Sequence, residues 1–401
     1  MMNFAIPMNP INQYMPKSAK IIFPIVFLIF TLQAKAQEEI PPRKLTLNGY
    51  ISSMQSVMFD SIRNNWDVSN LIHNRLNFKW IPTSSITTAV ELRNRFSYNH
   101  EMNTGENYYS VKDQGWMNLS LDIFSGKSFL LNTFVDRAWV AYEKGKFNIT
   151  AGRQRINWSQ TFVWNPNDVF NAYSFFDFDY VEKPGSDALR VQYYPNETSS
   201  AEAAIKINRE KKITAAGLYR FNRFQYDFQF LGGLLNSTDY LAGAGWSGAI
   251  KGWTVSGELS YFHPKKHFRD TTGLFMASLA TTHSFNDKLS VQGEVLYSSV
   301  KKQDIKNFEE FYLAPLTVKN LSFTHYNAFA QASYAISPLL NTTLALMYFP
   351  EVKGYFAGPS VSYSLSDNFD CSLYVQRFSG ELMEHKRANF NLAFLRFKLN
   401  F

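Results

Sequence analysis

The side chains best placed to do chemistry are cations that recur at alternate positions between apolar neighbours. Arg75 and Lys79 stand in NRLNFKW, Glu91, Arg93 and Arg95 in ELRNR, Arg153 and Arg155 in GRQR, Arg190 in LRVQ and Arg396 in FLRF. Such a row lines one face of a strand, and charges lining a wide aqueous path bias which solutes pass. Acids form a counterpart: Asp168, Asp177, Asp179 and Glu182 gather in 158–185. They are expected to answer Arg153, Arg155 and Arg190, drawing that stretch inward as a constriction. A calcium reading of Asp177, Asp179 and Glu182 lacks the glycine turn and the further oxygen ligands that hard cations need, so no metal and no cofactor is expected. Further acids, Glu202, Asp227, Glu258 and Glu294, also fall inward, the last three on middle strands. That distribution would set opposite walls at opposite potential. The plainer alternative for any single Arg is a salt-bridge network that fills the interior.

Catalysis finds less support. Of seven histidines, His73 is inward by phase, His100, His263, His267 and His385 lie in or beside connections, and His283 and His325 lie in strands. Ser284 follows His283 directly and so points to the other face of a strand. No nucleophile, base and orienting group come together in a recognisable string, and the chain is not expected to be an enzyme.

The elements that position these residues have a period of two. In 84–98, Ile86, Val90, Leu92, Phe96 and Tyr98 share one face and Glu91, Arg93 and Arg95 the other; in 68–81, Ile72, Leu76, Phe78 and Trp80 oppose His73, Arg75, Asn77 and Lys79. About eighteen such segments follow one another: 44–58, 68–81, 84–98, 130–143, 146–157, 186–195, 200–209, 212–222, 224–235, 239–250, 252–262, 273–285, 287–299, 321–336, 339–350, 354–366, 368–380 and 387–401. A short strand at 116–124 would change the count, which stands at 16 to 18. Tight turns alternate with longer links at 59–67, 99–129, 158–185, 263–272, 300–320 and 381–386. This is the pattern of a transmembrane antiparallel up-and-down β-barrel with brief periplasmic turns and longer outer loops.

The last strand, RANFNLAFLRFKLNF, becomes steadily more apolar at odd positions and ends on Phe401. It resembles the final strand of bacterial outer-membrane β-barrels at Leu395, Phe397, Leu399 and Phe401. The resemblance implies that it pairs with the first strand and is read by the barrel-assembly machinery. Composition agrees: aromatics make up 16% of 401 residues and charged residues only 18%, as expected when lipid-facing and water-facing side chains alternate.

Lys17 and Lys20, the apolar run Ile21 to Leu32 and Ala34-Lys35-Ala36 have the order of a secretory signal peptide. The expected organisation is a signal peptide over 1–36, with Met15 an alternative start, and a single barrel domain over 37–401. Removing residues 1–36 takes away three lysines and no acid, lowering the formal charge from +7 to +4. The remaining excess is too scattered for nucleic-acid binding. The lone Cys371 alternates with Phe369, Leu373 and Val375 as a wall residue, and no disulfide can form within the chain.

The stretch 151–195 is the most distinctive. Gly152, Arg153, Ile156 and Trp158 precede Asn165, Pro166, Asp168, Phe170 and Asn171, and this arrangement resembles outer-membrane barrels of the porin and alginate-export type found in Bacteroidetes-like bacteria. The resemblance implies an 18-stranded barrel with an Arg-lined pore for an anionic polysaccharide or small solutes. Arg153 and Arg155 fall in phase with Phe147, Ile149 and Ala151, so a bulge near Gly152 or an apolar plug low in the barrel is expected. The functional expectation is a porin-like channel in a Gram-negative outer membrane, with outer-membrane lipid as its surroundings and the oligomeric state open. A non-conducting structural or adhesin barrel is the first alternative, and a barrel-embedded hydrolase the second.

Overall fold

The computed structural model describes residues 44–59, 66–99, 113–176, 182–300, 316–381 and 387–401. The expected signal peptide and two of the loop acids, Asp177 and Asp179, lie outside them. Nineteen strands form one antiparallel sheet: β1 (Leu45–Phe59), β2 (Asp67–Thr83), β3 (Ile86–Asn99), β4 (Ser120–Ser125), β5 (Phe129–Lys144), β6 (Phe147–Gln154), β7 (Ser186–Asn196), β8 (Ser199–Ile207), β9 (Ile213–Arg223), β10 (Tyr226–Leu235), β11 (Asp239–Ile250), β12 (Trp253–Pro264), β13 (Leu274–Ser284), β14 (Leu289–Ser298), β15 (Tyr326–Ser337), β16 (Leu340–Phe349), β17 (Gly354–Ser366), β18 (Phe369–Glu381) and β19 (Arg387–Asn400).

The sheet closes on itself. β1 pairs with β2 on one edge and with β19 on the other, from Tyr50↔Asn400 to Phe59↔Asn391. Gly49 and Phe401 then exchange backbone hydrogen bonds of 2.9 and 3.0 Å. Closure joins the first and last strands and leaves only the short β4 with an unpaired flank, and paired edges are the condition for strands to stand in hydrocarbon.

Eighteen strands make this wall, and β4 is a patch on it. β3 pairs directly with β5 from Ile86↔Tyr142 to Tyr98↔Phe129, while β4 lies on the other flank of β5, from Ser120↔Phe134 to Ser125↔Leu130. That flank is vacant because β6 stops at Gln154, where its partner β7 begins at Ser186. The short strand at 116–124 therefore occurs at Ser120–Ser125, and the strand expected over 146–157 ends three residues early. The strand expected from 321 starts at Tyr326.

Period two holds along the wall. On β2, Ile72, Phe78 and Trp80 are exposed outward while His73 and Arg75 are buried inward. Outward rings meet in belts at both ends: Phe147–Tyr193, Phe221–Phe228 and Trp253–His283 near the short turns, Tyr240–Phe268 and Tyr297–Tyr326 near the longer connections. Membrane barrels carry girdles of this kind at their two interfaces. Inside, Ile156, Trp158, Val163, Trp164, Val169, Phe170 and Phe176 join Phe329, Phe356 and Phe378 of the wall in an apolar core.

Candidate functional site

The site begins where the chain leaves the wall. Phe147, Ile149 and Ala151 point outward, after which Arg153 and Gln154 are both buried. The change of face falls at Gly152, whose φ of +114° suits glycine and whose Cβ would lie 2.2 Å from the Ala138 carbonyl oxygen. The β5 pairing runs through this point in register, so a left-handed glycine does what a bulge was expected to do. The Arg153 guanidinium donates to Asp187 at 2.7 and 2.9 Å, to Asp113 at 2.7 Å and to the Met117 carbonyl at 2.8 Å. It clips the segment carrying β4 against the wall, and its partners are not the loop acids expected from sequence.

A second buried network ties β2, β3 and β5 together. Arg75 donates to Asp136 and Glu91 and lies 3.7 Å from Glu182, while Arg93 reaches Asp136 at 3.2 Å. Asp136 points inward because β5 is bulged there: Glu91 faces Arg137 and Leu92 faces Val135, leaving Asp136 as the extra residue. Arg137 donates to the carbonyls of Glu182 and Lys183 at 2.8 and 2.7 Å. The returning end of the infolded stretch is thereby fixed to this wall.

Between these ends the chain crosses the bore. β14 stands eight strands from β6 around a wall of eighteen, nearly opposite. There the Glu294 carboxylate accepts the backbone N–H groups of Phe162, Val163 and Trp164 at 3.0, 2.8 and 2.8 Å. Glu258 on β12 accepts those of Gln160, Thr161 (3.0 Å) and Asn167 (2.8 Å). Glu202 accepts the Trp158 indole N–H at 2.6 Å. The crossing presses so closely on β11 that a Cβ at Gly243 would stand 2.8 Å from the Asn167 side-chain oxygen. Toward β15, β17 and β18, Phe175 meets Phe329 at 5.1 Å and Phe176 meets Phe356 and Phe378 at 5.1 and 5.0 Å. Of the expected negative wall, Glu258 and Glu294 are thus buried anchors, while Asp227 is exposed and accepts from the Asn222 side chain at 2.8 Å; the apolar plug is the crossing itself.

The remaining cations are less enclosed. Arg155, half-buried, lies 3.8 Å from Asp168 and 5.4 Å over the Tyr173 ring. Asp168 is fully buried; burial pushes its carboxyl up to about 6, against the pull of Arg155, Lys206 and Lys183. The Lys183 ammonium sits 3.0 Å from the Tyr173 ring centre and is lowered to about 8 by burial and by Arg155. Arg190 donates to Glu202 at 2.6 Å, and Arg396 to the Tyr374 hydroxyl at 2.9 Å. The Nε atoms of Arg95, Arg190 and Arg396 and one Nη of Arg155 have no protein acceptor. Lys79 is exposed near the β2–β3 turn. Beside the crossing, a recess of about 560 Å³ is lined by Asn157, Ser159, Gln160, Arg220, Asn222 and Asp227 among others.

Sequence reasoning missed Asp113, Asp136 and Asp187. For Asp136 a signal existed, since Asp136-Arg137 interrupts the alternation of its strand. For the anchoring role of Glu258 and Glu294 there was none, because their partners are backbone amides.

Solved structures share this architecture at low identity. The chain superposes on a BenF-like porin from Pseudomonas fluorescens Pf-5 with a TM-score of 0.58 and 8% identity, over 90% of this chain and 99% of that one. OccAB4 of Acinetobacter baumannii gives 0.55 and 10% over 90% and 100%. OccK11 (OpdR) of Pseudomonas aeruginosa gives 0.55 and 8% over 88% and 96%. The likeness establishes the fold, a closed 18-strand antiparallel β-barrel. No protein-family model matches the sequence, and no curated protein matches it.

Proposed function

We propose that this chain is a porin-like outer-membrane channel that passes anionic or hydroxylated solutes, oligosaccharides among them, along an aqueous path beside the crossing. The observation that carries the reading is the set of half-buried arginines Arg95, Arg155, Arg190 and Arg396 inside a closed barrel, which are not enclosed as Arg75, Arg93 and Arg153 are. Guanidinium groups that keep part of their surface open to the lumen are what a carboxylate or a hydroxyl can use. Arg75, Arg93 and Arg153 are themselves buried as well as engaged by buried acids and act as frame, so solute selection falls to the four half-buried arginines and to Lys79. The two aromatic belts support an outer-membrane location, with lipid as the barrel's surroundings and the Phe401 strand as the mark read during assembly.

The test is single-channel recording of the refolded full barrel. Wild type should conduct with anion preference, and Arg95→Gln, Arg155→Gln and Arg396→Gln together should move the reversal potential toward cations. The shift should grow at low ionic strength, because screening acts beyond roughly 8 Å at physiological salt. A second reading is favoured by the six backbone amides held on Glu258 and Glu294: a non-conducting barrel whose lumen is filled. Absence of any conductance selects it, whereas conduction with unchanged selectivity removes only the arginine assignment.

A further inference from the structure

Among the described residues, two connections at the end of the wall with the longer links carry clusters of cations for which the channel reading has no use. The β8–β9 connection holds Arg209, Lys211 and Lys212, and the β12–β13 connection holds Lys265, Lys266 and Arg269, all exposed. Their only acids are Glu210 and Asp270, and Glu210 is paired with Lys212 at 2.5 Å. At the other end of the same sector, the described turns hold Glu197, Lys251 and the pair Asp287 and Lys288, so no turn there gathers more than one cation.

The second cluster is fastened to the outside of the barrel. Phe268 stacks on His263 with ring centres 4.0 Å apart and meets Tyr240 edge-on at 6.0 Å, and Tyr261 lies 5.8 Å from His263. Tyr240, Tyr261 and Phe275 are exposed on the outward face. Lys265, Lys266 and Arg269 therefore flank an aromatic ring turned toward lipid, at the level where headgroups begin. Charge complementarity calls for an anion, and a place directly above an aromatic girdle calls for one that carries acyl chains.

We infer that this sector binds a phosphorylated glycolipid of the outer leaflet, with phosphates on the two cation clusters and acyl chains along Ile205, Ile213, Tyr240 and Phe275. The clusters are separated by four strand spacings of about 4.8 Å, about 19 Å along the wall, a span that one phosphodiester headgroup does not bridge. The inference rests on the outer-membrane placement proposed above and not on conduction.

Native mass spectrometry of the folded full chain in detergent tests it, with bis-phosphorylated lipid A, dephosphorylated lipid A and phosphatidylglycerol as probes. Bis-phosphorylated lipid A should be retained most strongly. K211Q/K212Q and K265Q/K266Q/R269Q should each weaken it, and their combination should do so by at least about tenfold, given the attraction of each surface cation for an anionic headgroup. Single-channel conductance of the combined variant should match wild type, so that failure here is separable from failure of the channel reading. Equal retention by the combined variant would overturn the inference. So would equal binding of phosphatidylglycerol, which would indicate unspecific attraction, or displacement by inorganic phosphate at matched phosphate concentration, which would indicate a free-anion site.

Discussion

Two sides of the barrel bury carboxylates on their inner face and use them in opposite ways. On the β2–β3–β5 side, Glu91, Asp136 and Glu182 surround Arg75, and Asp136 also engages Arg93. These bonds run between side chains and, with one exception, between strands. On the β12–β14 side, Glu258 and Glu294 each take three backbone N–H groups from the crossing. That chain segment has no ladder of its own, and its buried amides need acceptors from elsewhere. The first side stiffens a wall, and the second holds up a segment that would otherwise carry orphaned donors. An inward acid is therefore poor evidence for a negative lumen until its donors are known.

The sharpest way to break the comparison is Arg75→Met. It leaves Asp136 buried without its closest guanidinium, and losing one partner of a buried pair costs about 3–5 kcal/mol. The expected outcome is a large loss of the folded, heat-modifiable barrel on gels and a lower urea midpoint in detergent. A variant that folds like wild type would show that the network fills space without framing the wall.

Glu294→Ala, and separately Glu258→Ala, should act on the crossing and spare the wall. Each leaves three amides unsatisfied, at roughly 1–3 kcal/mol for a buried group left without its partner, and undocking caps the loss by returning them to water. Chymotrypsin should then cut the aromatic stretch 158–176 in a barrel that still resists elsewhere, and single-channel conductance should rise. A crossing that stays protected in both variants would mean that aromatic packing on Phe329, Phe356 and Phe378 suffices to hold it.

The contrast also marks what could be read from residue order. Which face of each strand is wet follows from period two, and closure through the Phe401 strand follows from its pattern, because both depend on neighbours along one strand. Where β6 stops does not follow, since Gln154 looks like any inward polar residue until Gly152 turns the chain. The partners of Arg153 lie 40 and 34 residues away, at Asp113 and Asp187, and a bulge or an early strand end redirects such pairs. The distinctive motif has mainly a folding role: Ile156 and Trp158 are wholly buried, and Asn171 accepts the Ile156 N–H at 2.9 Å and donates to the Pro184 carbonyl at 2.8 Å. Arg153, expected to line the pore, instead fastens the chain where it leaves the wall.

Asp168 belongs to neither pattern, and it sharpens the comparison with the smallest effect. It lies within the crossing, fully buried, with its nearest guanidinium at 3.8 Å, beyond hydrogen-bond length. Burial, only partly opposed by Arg155, Lys206 and Lys183, pushes it up to about 6 from an ordinary 3.8. A docked carboxyl that holds its proton more tightly than the undocked one stabilises docking fully below the ordinary value. That contribution is lost as pH rises through about 6. Protection of the crossing, followed by hydrogen exchange with chemical exchange corrected for pH, should therefore fall between pH 4 and pH 7 in wild type. Asp168→Asn keeps the shape without the titration, so its protection should stay level and exceed that of wild type at pH 7. The gain should be on the order of 1–2 kcal/mol, less than the full shift implies, because Arg155, Lys183 and Lys206 lose the attraction of this carboxylate. If the substitution instead loosens the crossing at pH 7, the charge of Asp168 outweighs its burial, and the residue acts as an ion-pair member like Asp136.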